Sequence, residues 1–345
     1  MAGIGYAFIS SYLKGEEAKL ISSDHLNTVL KAENVQEVID SIRDTDIGSY
    51  LEGLEINSFN DVDEQLWIYL NNCLTRVAWF QNVPKSAREM LQAYVYRYDI
   101  LNIKTALQNI ISGEKTEGIP AGTIYNKGLL YVLTDAESLD NVINVLSTAK
   151  MGEYVNVLEG YRLEEGFRRE VLTDTGMENI YYNNLIGMSG KLKDRDVLSK
   201  VFQTLLDMTN LQIVLRTAVN ESGSNASDQT ISGGYLLSDE LVRDMLSVKL
   251  QDIPVRIDYP VYRTVVEGII EEYEKDLNIS IINESIDKLK FNILKEILSP
   301  RIMSTAVVIW YVILKEIEVR NIRLILKAVM DNIQLEEIRN FLVMA

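Results

Sequence analysis

The sequence predicts an all-α protein of three tandem helical units, related by pseudo-three-fold symmetry in a funnel- or socket-like body. Three observations support this fold class. A ten-residue pattern occurs three times, apolar residues recur at helical spacing within each copy, and glycine and proline are few for the length. The chain has 345 residues with 19 glycines and 5 prolines, and 47% of its residues are hydrophobic. This composition is typical of a soluble globular chain and favours helix over turn-rich sheet.

The repeated pattern begins with an acidic residue and has asparagine three positions later. Isoleucine or leucine follows the asparagine directly, and a leucine comes four positions after that. The three copies are Asp99–Gln108, Asp207–Arg216 and Glu318–Lys327. Because the copies stand about 110 residues apart, the pattern indicates a chain built from three similar units.

Each copy also carries an apolar stripe at the spacing of one helix face. Four positions in each copy are apolar, and they fall at i, i+3, i+7 and i+10. They are Ile100, Ile103, Leu107 and Ile110; Met208, Leu211, Leu215 and Ala218; and Val319, Ile322, Leu326 and Val329. One buried helix face, written three times, is the simplest interpretation.

A second repeat divides the chain into units. Ala32–Ile39 is similar to Ala136–Ile143, and Ile119–Gly122 corresponds to Ile231–Gly234 at the opening of the next unit. We therefore predict helical units at 1–112, 113–230 and 231–345, each an arm followed by a motif helix.

Apolar periodicity and breaker residues predict the individual helices. Pro84 and Pro300 stand where proline is favoured, near the first turn of a helix, and Ser299 is suited to the N-cap. The segment 252–262 holds two prolines, and the sequence does not decide whether it forms a short strand. The predicted helical segments are an arm over 1–51, helices over 62–80 and 85–111, a second arm ending near 158, and helices over 161–171, 180–189, 194–219, 299–332 and 335–343.

Composition excludes several functions. A formal charge of −16 argues against nucleic-acid binding, which depends on lysine and arginine. One cysteine, Cys73, and one histidine, His25, exclude a disulfide framework and a Cys/His zinc site. The apolar run 305–314 is too short to span a membrane, which needs about 20 residues. Gly187–Leu192 lacks the spacing and hydroxyl of a phosphate-binding loop.

The strongest polar signal is the triplicated acid and asparagine, for which two interpretations stay open. The residues could form a polar ring that faces a partner, or they could bind neighbouring helices inside the fold, since buried polar groups are usually hydrogen-bonded. The six candidate residues are Asp99, Asn102, Asp207, Asn210, Glu318 and Asn321. No catalytic, cofactor-binding or metal-binding residue is predicted.

The triple motif, and above all Tyr98–Lys104, resembles the C subunit of the archaeal and bacterial V/A-type rotary ATPases and ATP synthases. This family is the counterpart of the d subunit of eukaryotic V-ATPases. The stretch Ile42–Ile47 is also similar to the family's first arm. The later copies depart from the pattern, with Leu206 and Ile317 in the place of Tyr98. The resemblance covers essentially the whole chain.

The resemblance implies a non-catalytic central-stalk subunit of a V/A-type ATPase or ATP synthase. Its partners would be the D and F subunits, which form the central shaft, and the membrane rotor ring. It would lie at the cytoplasmic side of the membrane, without a span of its own and without a cofactor, and would couple ring and shaft during ion transport. Two alternatives stay open, a helical-repeat adaptor of a cytosolic assembly and an all-α enzyme that uses acids alone.

The apolar faces of the terminal units lead to one more prediction. An open row of repeats usually has polar caps at its ends, but the first arm and the last long helix are both apolar. We therefore expect residues 1–112 to contact residues 235–345.

Overall fold

The computed structural model describes residues 2–80, 83–162, 166–220 and 229–343. Among these residues the regular structure is helical and no strand occurs. The α-helices are α1 (Ala2–Glu17), α2 (Ser23–Val29), α3 (Val35–Ser41), α4 (Asp46–Leu51), α5 (Phe59–Trp79), α6 (Lys85–Ser112), α7 (Thr123–Asn126), α8 (Leu130–Thr134), α9 (Leu139–Ala149), α10 (Gly152–Tyr161), α11 (Gly166–Ser189), α12 (Arg195–Val219), α13 (Asp239–Leu246), α14 (Ile253–Arg256), α15 (Pro260–Asp276), α16 (Ser280–Leu298) and α17 (Ala306–Met330). Short 3₁₀ turns lie at Leu250–Asp252 and Arg339–Phe341.

The chain folds into two compact units. The first contains residues 1–99, 119–126 and 298–345. The second contains residues 100–118 and 127–297. The division into three segments predicted from the repeats remains a proposal.

The three motif helices, α6, α12 and α17, bury the stripe that the repeats predict. The first three stripe positions of each copy are buried, with Leu107 6% exposed and Leu215 and Leu326 fully buried. The fourth position, Ile110, Ala218 or Val329, is half-buried in every copy. The stripe therefore has the same depth profile three times.

In the first unit, α17 packs against α1, α3 and α5. The Tyr6 hydroxyl lies 2.8 Å from Oγ1 of Thr305, and Arg323 forms an ion pair with Asp63. The predicted contact between residues 1–112 and 235–345 is thus confirmed. Most of the α17 side chains are buried in this packing.

In the second unit, a continuous apolar core joins α12, α13, α14, α15 and α16. Helix α11 packs against both α10 and α12. The sequence predicted a break near residues 172–179, but α11 runs without interruption. A Cβ on Gly176 would stand only 3.0 Å from Cγ1 of Val157, so this glycine permits close helix packing and does not end the helix.

Other predicted boundaries were also wrong. Pro300 does not start the last long helix; α16 ends at Leu298 and α17 begins at Ala306. Proline one or two residues beyond a helix prevents its continuation. The predicted helix over 335–343 is reduced to a 3₁₀ turn at Arg339–Phe341. The segment 252–262, whose structure the sequence did not decide, forms α14 and the start of α15.

Candidate functional site

The first motif acid, Asp99 on α6, is fully buried and binds the opening turn of α7. Its Oδ2 accepts the N–H of Thr123 at 2.9 Å and its Oδ1 accepts the N–H of Ile124 at 2.8 Å. The carboxylate thus satisfies N–H groups that the first turn of a helix leaves without partners. A Cβ on Gly122 would lie 2.6 Å from Oδ1, and this residue has φ of +102°. Glycine is required there on both counts.

Asn102, one turn further along α6, is fully buried. Its Oδ1 lies 3.0 Å from the place that a Cβ on Gly118 would take. Two turns later, Asn109 pairs with the backbone of Thr116, donating from Nδ2 to the carbonyl at 2.9 Å and accepting the N–H at 3.0 Å. Sequence analysis missed Asn109, because its position is not asparagine in the other two copies.

The second motif acid, Asp207 on α12, has the same surroundings. The N–H of Leu236 donates to Oδ2 at 2.8 Å, and the N–H of Leu237 donates to Oδ1 at 3.2 Å. The Tyr262 hydroxyl also donates to Oδ2 at 3.2 Å. A Cβ on Gly234 would stand 2.2 Å from Oδ1. Burial raises the pKa of Asp207 to about 6, although these hydrogen bonds act to lower it.

The second asparagine, Asn210, binds one backbone residue at two points. Its Nδ2 donates to the carbonyl of Ile231 at 2.7 Å, and its Oδ1 accepts the N–H of the same residue at 2.9 Å. This is the pairing that a neighbouring strand would give. The side chain therefore provides the hydrogen bonds of a buried backbone residue that is not part of a helix.

The third motif acid, Glu318 on α17, binds backbone near the other end of the sequence. Its Oε1 accepts the N–H of Ile21 at 3.0 Å. Its Oε2 accepts from Nζ of Lys315 at 2.8 Å, and the same ammonium donates to the Tyr69 hydroxyl at 2.8 Å. Burial raises the pKa of Glu318, and the charge of Lys315 opposes that effect.

The third asparagine, Asn321, repeats the two-point pairing of the second. Its Nδ2 donates to the carbonyl of Val343 at 2.8 Å, and its Oδ1 accepts the N–H of Val343 at 3.2 Å. The same side chain at the same motif position thus holds the segment that follows α12 and the segment that follows α17.

Each of the three acids binds backbone at or shortly before the start of a helix. Asp99 holds the start of the segment before α8 and α9, and Asp207 holds the residues just before α13. Glu318 holds Ile21, which lies just before α2. The acid of the last copy therefore binds the first arm.

A polar cluster that sequence analysis missed lies beside the motif in the first unit. The Glu316 carboxylate accepts hydrogen bonds from the hydroxyls of Tyr94, at 3.0 Å, and Tyr98, and forms an ion pair with Arg97 at 3.1 Å. Arg97 and Glu316 both stand two residues before a motif acid. Their opposite charges at equivalent repeat positions were the signal that could have identified the cluster.

The chemistry available at these residues is limited. All six candidate side chains are 5% exposed or less. No group of three or more His, Cys, Asp or Glu side chains suited to a metal ion occurs in the described part of the chain. His25 belongs to the cap of α2, where its Nδ1 accepts the N–H of Ser22 at 3.1 Å, and its Nε2 lies 3.0 Å from Asp44. Within the described ranges, no helix is both long enough and apolar enough to cross a membrane.

Comparison with known proteins gives one family. The model of the ATP synthase (C/AC39) subunit family matches residues 9–341. The chain is 26% identical to the C subunit of the A-type ATP synthase of Methanocaldococcus jannaschii, over 98% of this chain and 86% of that protein. It is 24% identical to the protein of the same name from Thermococcus onnurineus, over 97% and 89% of the two chains. For that from Pyrococcus furiosus the identity is 23%, over 97% and 89%. Because the family model spans nearly all of the sequence, this chain belongs to the ATP synthase (C/AC39) subunit family.

Proposed function

We propose that this chain is a non-catalytic central-stalk subunit of a V/A-type rotary ATPase or ATP synthase. It would link the membrane rotor ring to the shaft formed by the D and F subunits, at the cytoplasmic side of the membrane. The observation that carries this proposal is the family match over residues 9–341, together with relatives that are C subunits of A-type ATP synthases. The chain's own residues support a mechanical role for it.

A part that transmits torque has to resist deformation, and the motif side chains provide such resistance. Asp99, Asp207 and Glu318 each fix backbone N–H groups, and Asn210 and Asn321 each fix a peptide group at two points. The bonds of Asp99 to Ile124, of Asp207 to Leu237 and of the two asparagines are buried, so that breaking one leaves an unsatisfied polar group, and the bond of Glu318 to Ile21 is partly buried. Such bonds tie the loops between helices to the helices themselves.

We assign the six motif residues to this structural role and not to a partner-facing ring. The exposed fractions of the acids are 0% for Asp99 and Asp207 and 5% for Glu318. A side chain at this depth has no surface to offer a partner. Its hydrogen bonds with its own chain explain why the pattern has an acid and an asparagine.

The order of the acid contacts supports a closed body of three repeats. Asp99 binds the opening of the second arm, Asp207 binds that of the third, and Glu318 binds Ile21 within the first. Three such links in cyclic order are what a pseudo-three-fold arrangement requires. We propose units over 1–112, 113–230 and 231–345 around a central depression that accepts the shaft.

A rotation assay tests the rotor assignment. Cys73, the single native cysteine, is 4% exposed, whereas Tyr131 is 77% exposed. In a complex with its other cysteines removed, Tyr131→Cys would carry a bead through a thiol-reactive linker. With the catalytic head fixed to glass, we expect the bead to turn on addition of ATP. The chain without Tyr131→Cys is the control and should capture few beads.

Two results would contradict the proposal. A bead that stays still, while a bead on the D subunit of the same preparation turns, would place this chain outside the rotor. Failure of the tagged chain to co-purify with other ATPase components from membranes would favour the helical-repeat adaptor instead.

A further inference from the structure

A groove of about 690 Å³ lies in the second compact unit between α15 and α16, with α12 on one wall. Its floor is apolar and includes Val265, Ile269, Leu289 and Ile293. Ile269 and Leu289 are 2% and 5% exposed and belong to the apolar core below the groove, whereas Val265 and Ile293 are half-buried at its edge.

The end of the groove is apolar and open to solvent. Tyr235, Tyr259 and Val261 line it and are 44%, 43% and 47% exposed. Three large, partly exposed side chains that line one groove differ from the scattered single exposures of an ordinary monomer surface. Aromatic residues in such a patch are also enriched at protein interfaces.

Charged residues of both signs line the groove. The side chains are Lys200, Lys275, Lys288, Glu271, Glu272 and Glu296. Within the described part of the chain none of them forms an ion pair. The ammonium of Lys200 lies 5.0 Å from the centre of the Tyr235 ring.

Gly268 on α15 also lines the groove and leaves a notch there, because it has no side chain. No atom lies within 4 Å of the place where its Cβ would be, although the residue is in the interior of a helix. Glycine lowers helix stability there by about 1 kcal/mol relative to alanine. A missing side chain in a groove lets a second helix approach closely, as small residues do where helices cross.

From these features we infer that the groove between α15 and α16 binds an amphipathic α-helix of another subunit of the complex. Its apolar stripe would lie on the floor of the groove and cross α15 at Gly268. Flanking charges of both signs would pair with the three lysines and three glutamates of the wall. This is the helix-in-groove mode of recognition, with anchors at i, i+3 or i+4, and i+7.

The residues that line the groove argue against other ligands. Three carboxylates in the groove disfavour an anionic lipid surface and a phosphate-bearing ligand, since both are held by clustered cations. The apolar floor disfavours a wholly polar peptide. A helix with an apolar stripe and mixed charges satisfies both parts of the groove.

Photocrosslinking in the assembled complex tests the inference, which rests on the proposed function. A photoreactive benzoylphenylalanine in place of Val261 should yield an adduct with a segment of another subunit that has apolar residues at helical spacing and charges of both signs. Gly268→Trp fills the notch and should lower the adduct yield at least about tenfold, equivalent to about 1.4 kcal/mol or more. Gly187→Trp is the matched control, because Gly187 is also a helical glycine with open space around its Cβ position.

Each other result overturns the inference. These results are an adduct with lipid, with a non-helical segment or with a second copy of this chain, no protein adduct, or an unchanged yield in Gly268→Trp. Circular dichroism melts of both tryptophan variants show that the fold is retained. If other ATPase components co-purify but Val261 gives no adduct, the groove inference alone fails; if they do not co-purify, the proposed function fails.

Discussion

Replacement of Gly234 by alanine should break the hydrogen bonds between the Asp207 carboxylate and the backbone N–H groups of Leu236 and Leu237. The new Cβ would stand 2.2 Å from Oδ1 of Asp207 and 2.5 Å from the carbonyl oxygen of Leu237. Both contacts are closer than atoms tolerate, so the carboxylate has to move away from the N–H groups of Leu236 and Leu237. No positive φ is involved at this position, so the cost is steric and not conformational.

The magnitude follows from the bonds that are lost. A hydrogen bond to a charged group contributes about 1.5–3 kcal/mol, and two such bonds hold Asp207 to the backbone. Reduced freedom of the unfolded chain returns about 0.4–1 kcal/mol for a Gly→Ala change. We therefore expect Gly234→Ala to lower the free energy of unfolding by about 2–6 kcal/mol.

Urea unfolding followed by circular dichroism at pH 7 measures this change. Gly187→Ala is the control: it lies in helix α11 with no atom near its Cβ position, and should gain up to about 1 kcal/mol. In an Asp207→Ala background the cost of Gly234→Ala should shrink, because the two side chains then no longer collide. Equal stability of Gly234→Ala and Gly187→Ala would refute the prediction that the hydrogen bonds of Asp207 stabilise the fold.

Three further predictions concern the apolar stripes, Asp207 and the end of α11. Urea melts should show a loss of about 2–5 kcal/mol in each of Leu107→Ala, Leu215→Ala and Leu326→Ala, because all three side chains are buried. A neutral result at one position would mean that the three copies of the repeat are not structurally equivalent. The folded pKa of Asp207, about 6, exceeds its usual 3.8, so the folded state binds the proton more tightly than the unfolded state. The contribution of Asp207 to stability should thus fall by about 2–3 kcal/mol as pH rises from 4 to 7, at about 1.4 kcal/mol per pKa unit; an Asp207→Asn variant with the same slope would rule this out. Isolated protein should show no micromolar ATP binding by calorimetry, because residues 187–192 include the end of α11 and not a phosphate-binding loop; saturable heat of binding would contradict it.

Local periodicity predicted the first two motif helices well. The sequence placed them at 85–111 and 194–219, and the structure has Lys85–Ser112 and Arg195–Val219. A stripe at 3.6-residue spacing depends only on neighbours along the chain, so it can be recognised without knowing the fold. The half-buried fourth stripe position, present in all three copies, required the structure.

The partners of the motif acids could not be predicted. Asp99 and Asp207 bind backbone N–H groups, and a backbone donor has no sequence signature. The sequence left open whether the acids bind within the fold or face a partner. Glu318 has a charged partner on its own chain, Lys315, whose ammonium donates to its carboxylate. The glycines at 122 and 234 were noted as a repeat, but their reason, the carboxylate that takes the place of a Cβ, is a tertiary contact.

Residues that usually break helices misled the boundary predictions. Gly176 lies in the interruption predicted between 171 and 180, but its lack of a side chain lets α11 pack closely on Val157. Pro300 suggested a helix start, but it follows the end of α16. In both cases the same local signal fits two structures, and packing decides between them.

The packing of α17 against α1 and α5 sets an order for folding during synthesis on the ribosome. About 230 residues separate the end of α5 from the start of α17, and at about 5–20 residues per second they take roughly 10–50 s to emerge. During that time the apolar faces of α1 and α5 have no α17 to cover them, while the second unit can complete its core. The nascent chain therefore exposes the apolar faces of its first helices, a surface prone to aggregation, until the last long helix has been synthesised.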